Sequence, residues 1–295
     1  MTLPSHGRYD YSPITQRPDF DWPGGKRLAI YLGVNHEHFA FGEGKGAQIG
    51  NAEPSPDVLN YAWRDYGNRV GAWRLIDLLD DLNLPVTTLP NIEMYDYAPE
   101  LMAAHVARGD EVAGHGRTNS ESQSGMSEAE EATMIAQCST VIATHAGQRP
   151  VGWLSPWIAE TGVTPDLLVE AGYTYTMNWC MDDQPVWMRT RSGPLLSLPY
   201  GQEINDIPAI VGRKTGAAEF ADMIIDNFEE LLAQSEDQPL VYGIALHPYI
   251  IGQPFRLRQL RRALTHIAEQ RDYVWIATAG QIAQAYASRI PAPAE

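Results

Sequence analysis

The chain has 295 residues, of which 44% are apolar and 20% are charged, and its 37 acidic and 21 basic side chains give a net charge of −16. This composition supplies a large core and lies far from that of disordered chains. An acidic surface repels phosphates and anionic lipids, so we expect neither nucleic acid nor a membrane as partner. The two cysteines, Cys138 and Cys180, are too few for a disulfide framework, and the sequence has no apolar run of signal-peptide or membrane-spanning length. We therefore expect a cytoplasmic protein.

The first 26 residues predict an ordered N-terminal arm. They have no regular period and are rich in proline and aromatic residues, namely Tyr9, Tyr11, Pro13, Pro18, Phe20, Trp22 and Pro23. Apolar area left in water is unfavourable by about 25 cal/mol per Å², so we expect the arm to pack against something. We predict a homodimer or homotetramer with the arm near its interface, and an arm that folds back on its own chain is the alternative.

Residues 27 to 290 predict one domain in which short β-rich runs alternate with helical periods. The predicted strands are 28–34, 86–89, 111–113, 152–154, 173–177, 195–198, 240–246 and 273–276. The clearest predicted helices are 70–82, 219–234 and 255–268, where apolar residues recur on one stripe. This number of strands with helical crossovers favours a barrel, although an open doubly wound sheet shares the alternation.

Polar residues follow several predicted strands at their carboxyl ends, where the chemistry of α/β folds collects. The first strand leads into Asn35-His36-Glu37-His38, and strand alternation puts Asn35 and Glu37 on one face. Later strands lead into further polar or aromatic groups, which are His115 with Asn119, Trp157, Trp179, Tyr200 with Asn205-Asp206, and His247. Asn and Asp after a strand are equally typical of turns, so Asn205-Asp206 stay open between the two interpretations. The run Gly42 to Gly46 predicts a flexible loop, with a lid over the site as the alternative.

The order of several motifs carries a resemblance to a known family. A polar motif after the first strand, His115 after Gly109-Asp110-Glu111-Val112, Pro156-Trp157 after Gly152-Trp153, and His247 at the end of a late strand together resemble polysaccharide deacetylases with the NodB-type fold. The chain looks closest to a branch that includes metal-independent allantoinases and bacterial cyclic imide hydrolases. The most specific match to that branch is the segment Tyr66-Gly67-Asn68-Arg69-Val70-Gly71-Ala72-Trp73-Arg74-Leu75, with Val34-Asn35-His36-Glu37 before it. The resemblance covers roughly residues 9 to 287. It implies an α/β fold with a distorted, incomplete (β/α) barrel.

The metal-binding motifs of that family are altered in this chain. In metal-dependent members the first motif supplies two aspartates and the second supplies two histidines four residues apart. The positions that match them are Asn35, Glu37, His115 and Asn119, so an amide stands where the second imidazole would bind. One carboxylate and one imidazole fall below the three protein ligands typical of catalytic zinc. We therefore expect no cofactor, and a zinc ion at Glu37 and His115 is the alternative.

The resemblance and the polar residues together predict a hydrolase that opens cyclic imides or related ureides. The expected catalytic residues are Glu37 as base, His115 to orient or shuttle the proton of the attacking water, and His247 as donor to the leaving nitrogen. The expected substrate-binding residues are Asn35, Asn119, Trp157, Trp179 and Tyr200. A metal-dependent N-deacetylase acting on an amino-sugar polymer is the alternative function. A non-enzymatic binding protein on a decayed fold is a third hypothesis.

Overall fold

Nine strands and ten helices alternate along residues 5–52 and 54–293, the part of the chain that the computed structural model describes. The strands are β1 (Leu28–His36), β2 (Thr87–Pro90), β3 (Glu111–Val112), β4 (Gly152–Trp153), β5 (Tyr175–Thr176), β6 (Val186–Thr190), β7 (Gly193–Ser197), β8 (Leu240–Leu246) and β9 (Val274–Ile276). The helices are α1 (Val58–Tyr66), α2 (Ala72–Asp81), α3 (Met94–Tyr97), α4 (Pro99–Arg108), α5 (Glu128–Ala146), α6 (Thr164–Glu170), α7 (Ala217–Gln234), α8 (Pro248–Ile251), α9 (Pro254–Glu269) and α10 (Ala279–Arg289). The predicted α/β class is confirmed.

Strand β1 lies at the centre of the larger sheet, whose order is β3-β2-β1-β8. Strand β8 pairs with β1 in parallel from Leu28 to Val34. On the other side of β1, β9 pairs with its first three residues and β2 with its last four. The smaller sheet has the order β4-β5-β7-β6, in which β6 runs antiparallel to β7.

The two sheets form an incomplete barrel, as the resemblance implied. A parallel bridge between Gly114 and Trp153 joins the end of β3 to β4. Position 114 requires glycine because a Cβ there would collide with the Trp153 ring. Among the described residues no ladder joins β7 to β8, and the chain crosses this gap where Asn205 forms an isolated bridge with Ala245.

The two faces of β1 belong to different parts of the core. Alternate residues from Leu28 to Val34 lie in the apolar cluster that holds the buried faces of α7 and α9, whereas Ala29 and Tyr31 lie in the cluster inside the barrel. Strands β1 and β8 are buried along their whole length, which is typical of parallel strands covered by helices. The same alternation carries Asn35 and Glu37 to the inner side of the barrel at its carboxyl end.

The predicted strands and helices agree with the structure to within two residues at each end, and two differences have a clear structural reason. Strand β6 is absent from the prediction because its residues are mostly half-buried and form an antiparallel hairpin with β7, which leaves a weak apolar signal. Helix α2 begins at Ala72 rather than Val70 because a π-helical turn, Gly67–Gly71, precedes it.

The described part of the N-terminal arm folds back on its own chain. Trp22 is 1% exposed and its Nε1 donates to the carbonyl of Leu240 over 3.0 Å. Phe20 packs edge-on against Trp22 and Tyr286. The arm therefore finds apolar contacts without a second subunit, and association into an oligomer stays a prediction. Across residues 5–52 and 54–293, the helices are all too short or too polar to cross a membrane.

Candidate active site

A cavity of about 120 Å³ opens at the carboxyl ends of the barrel strands and collects most of the predicted site residues. Its lining residues are Asn35, Glu37, His115, Leu154, Ser155, Trp157, Ile158, Tyr200, Gln202, Asn205, Ile207, Pro208 and His247. Strand β1 contributes Asn35 and is followed at once by Glu37, and His247 directly follows β8. Since β1 and β8 are parallel neighbours, their carboxyl ends bring these groups together.

The carboxylate of Glu37 lies at the centre of the site and is 5% exposed. Its Oε1 accepts a hydrogen bond from Nδ2 of Asn119, and its Oε2 accepts one from the hydroxyl of Tyr249 over 2.7 Å. The Nε2 atoms of His115 and His247 lie 3.9 and 3.7 Å from Oε1. Burial raises the pKa of Glu37, but the two histidines and the Tyr249 donor outweigh burial and bring the pKa below its usual value. Glu37 is therefore a carboxylate at neutral pH.

The imidazole of His115 has a defined tautomer. Its Nδ1 lies 2.7 Å from the carbonyl oxygen of Leu154, which can only accept, so Nδ1 carries the proton. In the neutral ring Nε2 then holds a lone pair, and this buried atom has no hydrogen-bond partner among the described residues. An unpaired buried acceptor costs about 1–3 kcal/mol unless water or a ligand bonds to it. His115 is thus prepared to accept a proton from a bound molecule.

His247 forms a buried pair with Asp206. Nδ1 of His247 donates to Oδ1 of Asp206 over 2.6 Å, and the backbone N–H of His247 donates to Oδ2 over 2.8 Å. Burial lowers the pKa of His247, but the carboxylates of Asp206 and Glu37 outweigh it and raise the pKa above its usual value. The pair therefore favours an imidazolium whose Nε2–H faces the cavity, which suits a proton donor.

Asn35 and Tyr200 form a second polar edge of the cavity. Nδ2 of Asn35 donates to the hydroxyl of Tyr200 over 3.0 Å and to the carbonyl of Leu246 over 3.3 Å. Because the Tyr200 oxygen accepts from Asn35, its own proton is free to point elsewhere. Burial raises the pKa of Tyr200, which keeps the hydroxyl protonated. Tyr200 is thus a neutral donor at the cavity wall.

The donor set around Asn119 does not fit a catalytic zinc ion. Oδ1 of Asn119 accepts from Nδ2 of Asn91 over 2.9 Å, and Asn91 is itself oriented because its Oδ1 accepts from the backbone N–H of His38 over 2.8 Å. This chain of bonds turns the amide nitrogen of Asn119 toward Glu37, so a donor occupies the position of the missing imidazole. Among the residues described, no three His, Cys, Asp or Glu side chains group into a metal site.

The segment Tyr66 to Leu75 contacts the backbone of Glu37 and of α8 and so helps to position the Glu37 carboxylate. Nδ2 of Asn68 donates to the backbone carbonyl of Glu37 over 3.1 Å. A Cβ at Gly67 or Gly71 would collide with the backbone of Tyr249 or Pro248. The two glycines thus let α8 approach closely enough for the Tyr249 hydroxyl to reach Glu37.

One wall of the cavity has a strained backbone. Trp157 and Ile158 have φ angles of 62° and 54°, in the left-handed region. Such a conformation costs about 1–3 kcal/mol for each non-glycine residue and is an outlier for a β-branched one. Nε1 of Trp157 donates to the carbonyl of Asn119 over 2.9 Å, which ties this wall to the residue that holds Glu37.

Two predicted substrate-binding residues lie elsewhere. Trp179 does not line the cavity. Its ring packs against His6 and Tyr9 of the arm, and its Nε1 donates to Glu160 over 2.9 Å. Asn119 lies beneath Glu37 rather than on the lining. Both follow strands as expected, but long-range packing turns them away from the cavity.

Sequence reasoning also missed two residues of the site. The sequence did not decide whether Asp206 is a site residue or a turn residue. Tyr249 follows His247 by two positions and belongs to no recognisable motif. The usable signal for Asp206 was an acid shortly after the strand that ends near Tyr200. Its partner His247 is 41 residues away, so local pattern could not reveal the pair.

The sequence and the fold are both similar to those of known proteins. Residues 60–176 match the family model described as polysaccharide deacetylase. The chain is 23% identical over 271 residues to a peptidoglycan deacetylase of Helicobacter pylori. This match covers 81% of this chain and 90% of that protein. The crystal structure of PuuE allantoinase superposes with a TM-score of 0.85 and 25% identity, over 97% of this chain and 100% of that one. A probable polysaccharide deacetylase from Pseudomonas aeruginosa PAO1 has a TM-score of 0.84 and 26% identity, over 96% and 99% of the two chains.

Proposed function

Because the chain belongs to the polysaccharide deacetylase family of hydrolases, we propose that it hydrolyses the non-peptide C–N bond of a cyclic amide, opening cyclic imides or related ureides. One observation carries this proposal. Glu37, His115 and His247 meet within 3.9 Å at a small cavity, with the Asn119 amide in the position of the missing metal-ligating imidazole. The likeness to the allantoinase supports a ring substrate.

The attacking water bonds to Nε2 of His115 and to Oε1 of Glu37. Their separation of 3.9 Å suits one water that bonds to both at about 2.8 Å. We expect His115 to take the proton, because its Nε2 is unpaired while both oxygens of Glu37 already accept hydrogen bonds. Glu37 then stabilises the imidazolium that forms. This exchanges the roles of base and orienting group expected from the sequence.

The water oxygen bonds to a ring carbonyl carbon, and the carbonyl oxygen becomes an oxyanion. The Tyr200 hydroxyl is the best donor to that oxyanion, since the amide of Asn35 is already bonded to Tyr200 and Leu246. When the oxyanion collapses, the C–N bond breaks and Nε2–H of His247 protonates the nitrogen. The product is an open chain with one new carboxyl group and one free amide or ureido nitrogen.

The size of the cavity supports a small substrate. Pockets that bury a drug-sized ligand measure about 300–1,000 Å³, whereas this one measures about 120 Å³. A five- or six-membered ring fits into such a space. Because the carbonyl of a cyclic imide is activated, water can attack it without a metal ion as Lewis acid. The indole of Trp157 supplies a flat wall for a planar ring.

N-deacetylation of an amino-sugar polymer is the second candidate, favoured by the similarity to the peptidoglycan deacetylase. It requires a metal ion bound at Glu37 and His115 in spite of the Asn119 donor. Release of acetate from N-acetylglucosamine oligomers, with and without added zinc, tests this candidate directly.

The proposed function is tested with succinimide, hydantoin, allantoin and dihydrouracil, whose ring opening is followed by absorbance. We expect at least one ring to be opened. We expect Glu37→Gln to lower kcat by about 10²–10⁴, the range for acid–base catalysis, because proton transfer to His115 depends on the Glu37 carboxylate that binds the water and stabilises the imidazolium. Glu100→Gln is the control, since Glu100 is exposed on α4 and does not line the cavity. Near-wild-type turnover by Glu37→Gln removes Glu37 from the chemistry. Acetate release without ring opening favours the second candidate, and no turnover of either class favours a binding protein.

A further inference from the structure

The loop formed by residues 155–163, here named the wall loop, carries the strained Trp157 and Ile158 that line the cavity. Non-glycine residues keep left-handed backbone angles only where their surroundings enforce them. Within the loop, the N–H of Ile158 donates to the carbonyl of Ser155 over 2.8 Å, and that of Ala159 donates to the carbonyl of Pro156 over 3.1 Å. Two short-range bonds are few to stabilise two strained residues. We therefore expect contacts from outside the loop to help maintain this conformation.

A polar clamp, buried at Ser155 and Asn178 and half-buried at Glu160, supplies some of these contacts. Oδ1 of Asn178 accepts from the backbone N–H of Ser155 over 2.8 Å, and its Nδ2 donates to Glu160 over 2.7 Å. The other oxygen of Glu160 accepts from Nε1 of Trp179 over 2.9 Å. Glu160 thus holds the far end of the wall loop against the residues that follow β5.

The N-terminal arm supplies further contacts, in addition to the bonds of Trp157 to Asn119 and of Thr161 to Glu131. The two terminal nitrogens of Arg8 donate to the two carboxylate oxygens of Asp166, each over 2.7 Å, and one of them also donates to the carbonyl of Gly162 over 2.6 Å. The rings of His6 and Tyr9 lie 5.1 and 5.6 Å from that of Trp179. The arm therefore grips the wall loop directly at Gly162 and, through Trp179, at Glu160.

We propose that the arm is a strap that holds the wall loop in its strained, ring-binding conformation, with Arg8 as the principal positioning residue. The side chain of Arg8 is 13% exposed. Its planar guanidinium bonds to both carboxylate oxygens of Asp166, and the single ammonium group of lysine cannot reproduce this geometry. Arg8 lies outside the catalytic cavity, so its effect is on substrate binding rather than on proton transfer. The effect on binding rests on the proposed function, whereas the effect on the loop does not.

Hydrogen exchange tests the strap without any substrate. In Arg8→Ala, we expect the amides of Ile158 and Ala159 to exchange about tenfold faster. This factor corresponds to the lower end of the free-energy range for a lost charge-assisted hydrogen bond. In Arg8→Lys, which keeps the charge, we expect exchange rates between those of Arg8→Ala and wild type. Arg261→Ala, which removes an exposed arginine paired with Asp81, is the charge-matched control and is expected to match wild type. Unchanged exchange in Arg8→Ala overturns the proposal.

Kinetics with the substrate that wild type turns over provide the second readout. We expect KM to rise about tenfold in Arg8→Ala while kcat changes less than about threefold, since the proton-transfer groups are untouched. Trp179→Phe, which keeps ring contacts with the arm but loses the bond to Glu160, is expected to shift KM in the same direction. Faster exchange with an unchanged KM overturns the proposal, because the loop then has no role in binding. If wild type turns over no substrate, the proposed function fails and exchange alone decides the strap.

Discussion

Replacing Asp206 by asparagine tests whether His247 is the proton donor. Asp206 is fully buried and accepts two hydrogen bonds from His247, at 2.6 and 2.8 Å. Asparagine keeps one acceptor oxygen and removes the charge, so one charge-assisted bond worth about 1.5–3 kcal/mol is lost. At 1.36 kcal/mol per factor of ten, the population of the His247 imidazolium falls about 10- to 150-fold at any pH where the ring is mostly neutral in the variant.

The sign of the pH dependence follows from the pKa of His247. Burial lowers this pKa, but Asp206 and Glu37 outweigh it, so the wild-type imidazolium persists above the usual range of histidine. A donor must be protonated, and kcat/KM therefore falls as pH rises through the pKa of His247. In Asp206→Asn the pKa falls, so this alkaline limb moves to lower pH while activity on the acid side of the limb is largely kept.

The assay is kcat/KM for ring opening between about pH 5 and 10, a range that spans the ordinary histidine pKa of about 6.5. Asp183→Asn is the control for removing one carboxylate, because Asp183 lines a different cavity and does not bond to His247. A loss of activity that is equal at every pH, with the alkaline limb unmoved, would refute the donor role and leave Asp206 a purely structural residue.

Two further predictions concern metal dependence and stability. Incubation with a chelator is expected to leave kcat within about twofold, because the Asn119 donor facing Glu37 does not suit catalytic zinc, and proportional loss of zinc and activity would contradict this. Asp110→Asn is expected to lower the free energy of unfolding by about 1.5–3 kcal/mol at pH 7, since the buried carboxylate bonds to His105 and Arg108. Burial raises the pKa of Asp110 but these partners lower it overall, so its contribution is complete above about pH 3.9 and is lost as pH falls through the folded pKa. Urea unfolding at several pH values checks this, and a difference between wild type and variant that persists unchanged at low pH would contradict it.

Much of the fold and part of the site were determined by local pattern. Apolar runs of strand length separated by helical periods are enough to indicate a β/α alternation, because each element must bury its own apolar face. The two-residue period of a strand is likewise enough to put Asn35 and Glu37 on one side. His247 belongs to the same class of inference, since it follows a long apolar strand directly. These features depend on near neighbours in the chain.

The partners of these residues were decided by the tertiary structure alone. Tyr249 and Glu37 are 212 positions apart, and their hydrogen bond exists because β1 and β8 are parallel neighbours and two glycines admit α8 beside them. Trp179 shows the converse, because it follows a strand as a site residue would, yet the arm and Glu160 bind it outside the cavity. Burial, charge pairing and tautomer at a site depend on which chain segments meet in space, and no periodicity in the sequence records that meeting.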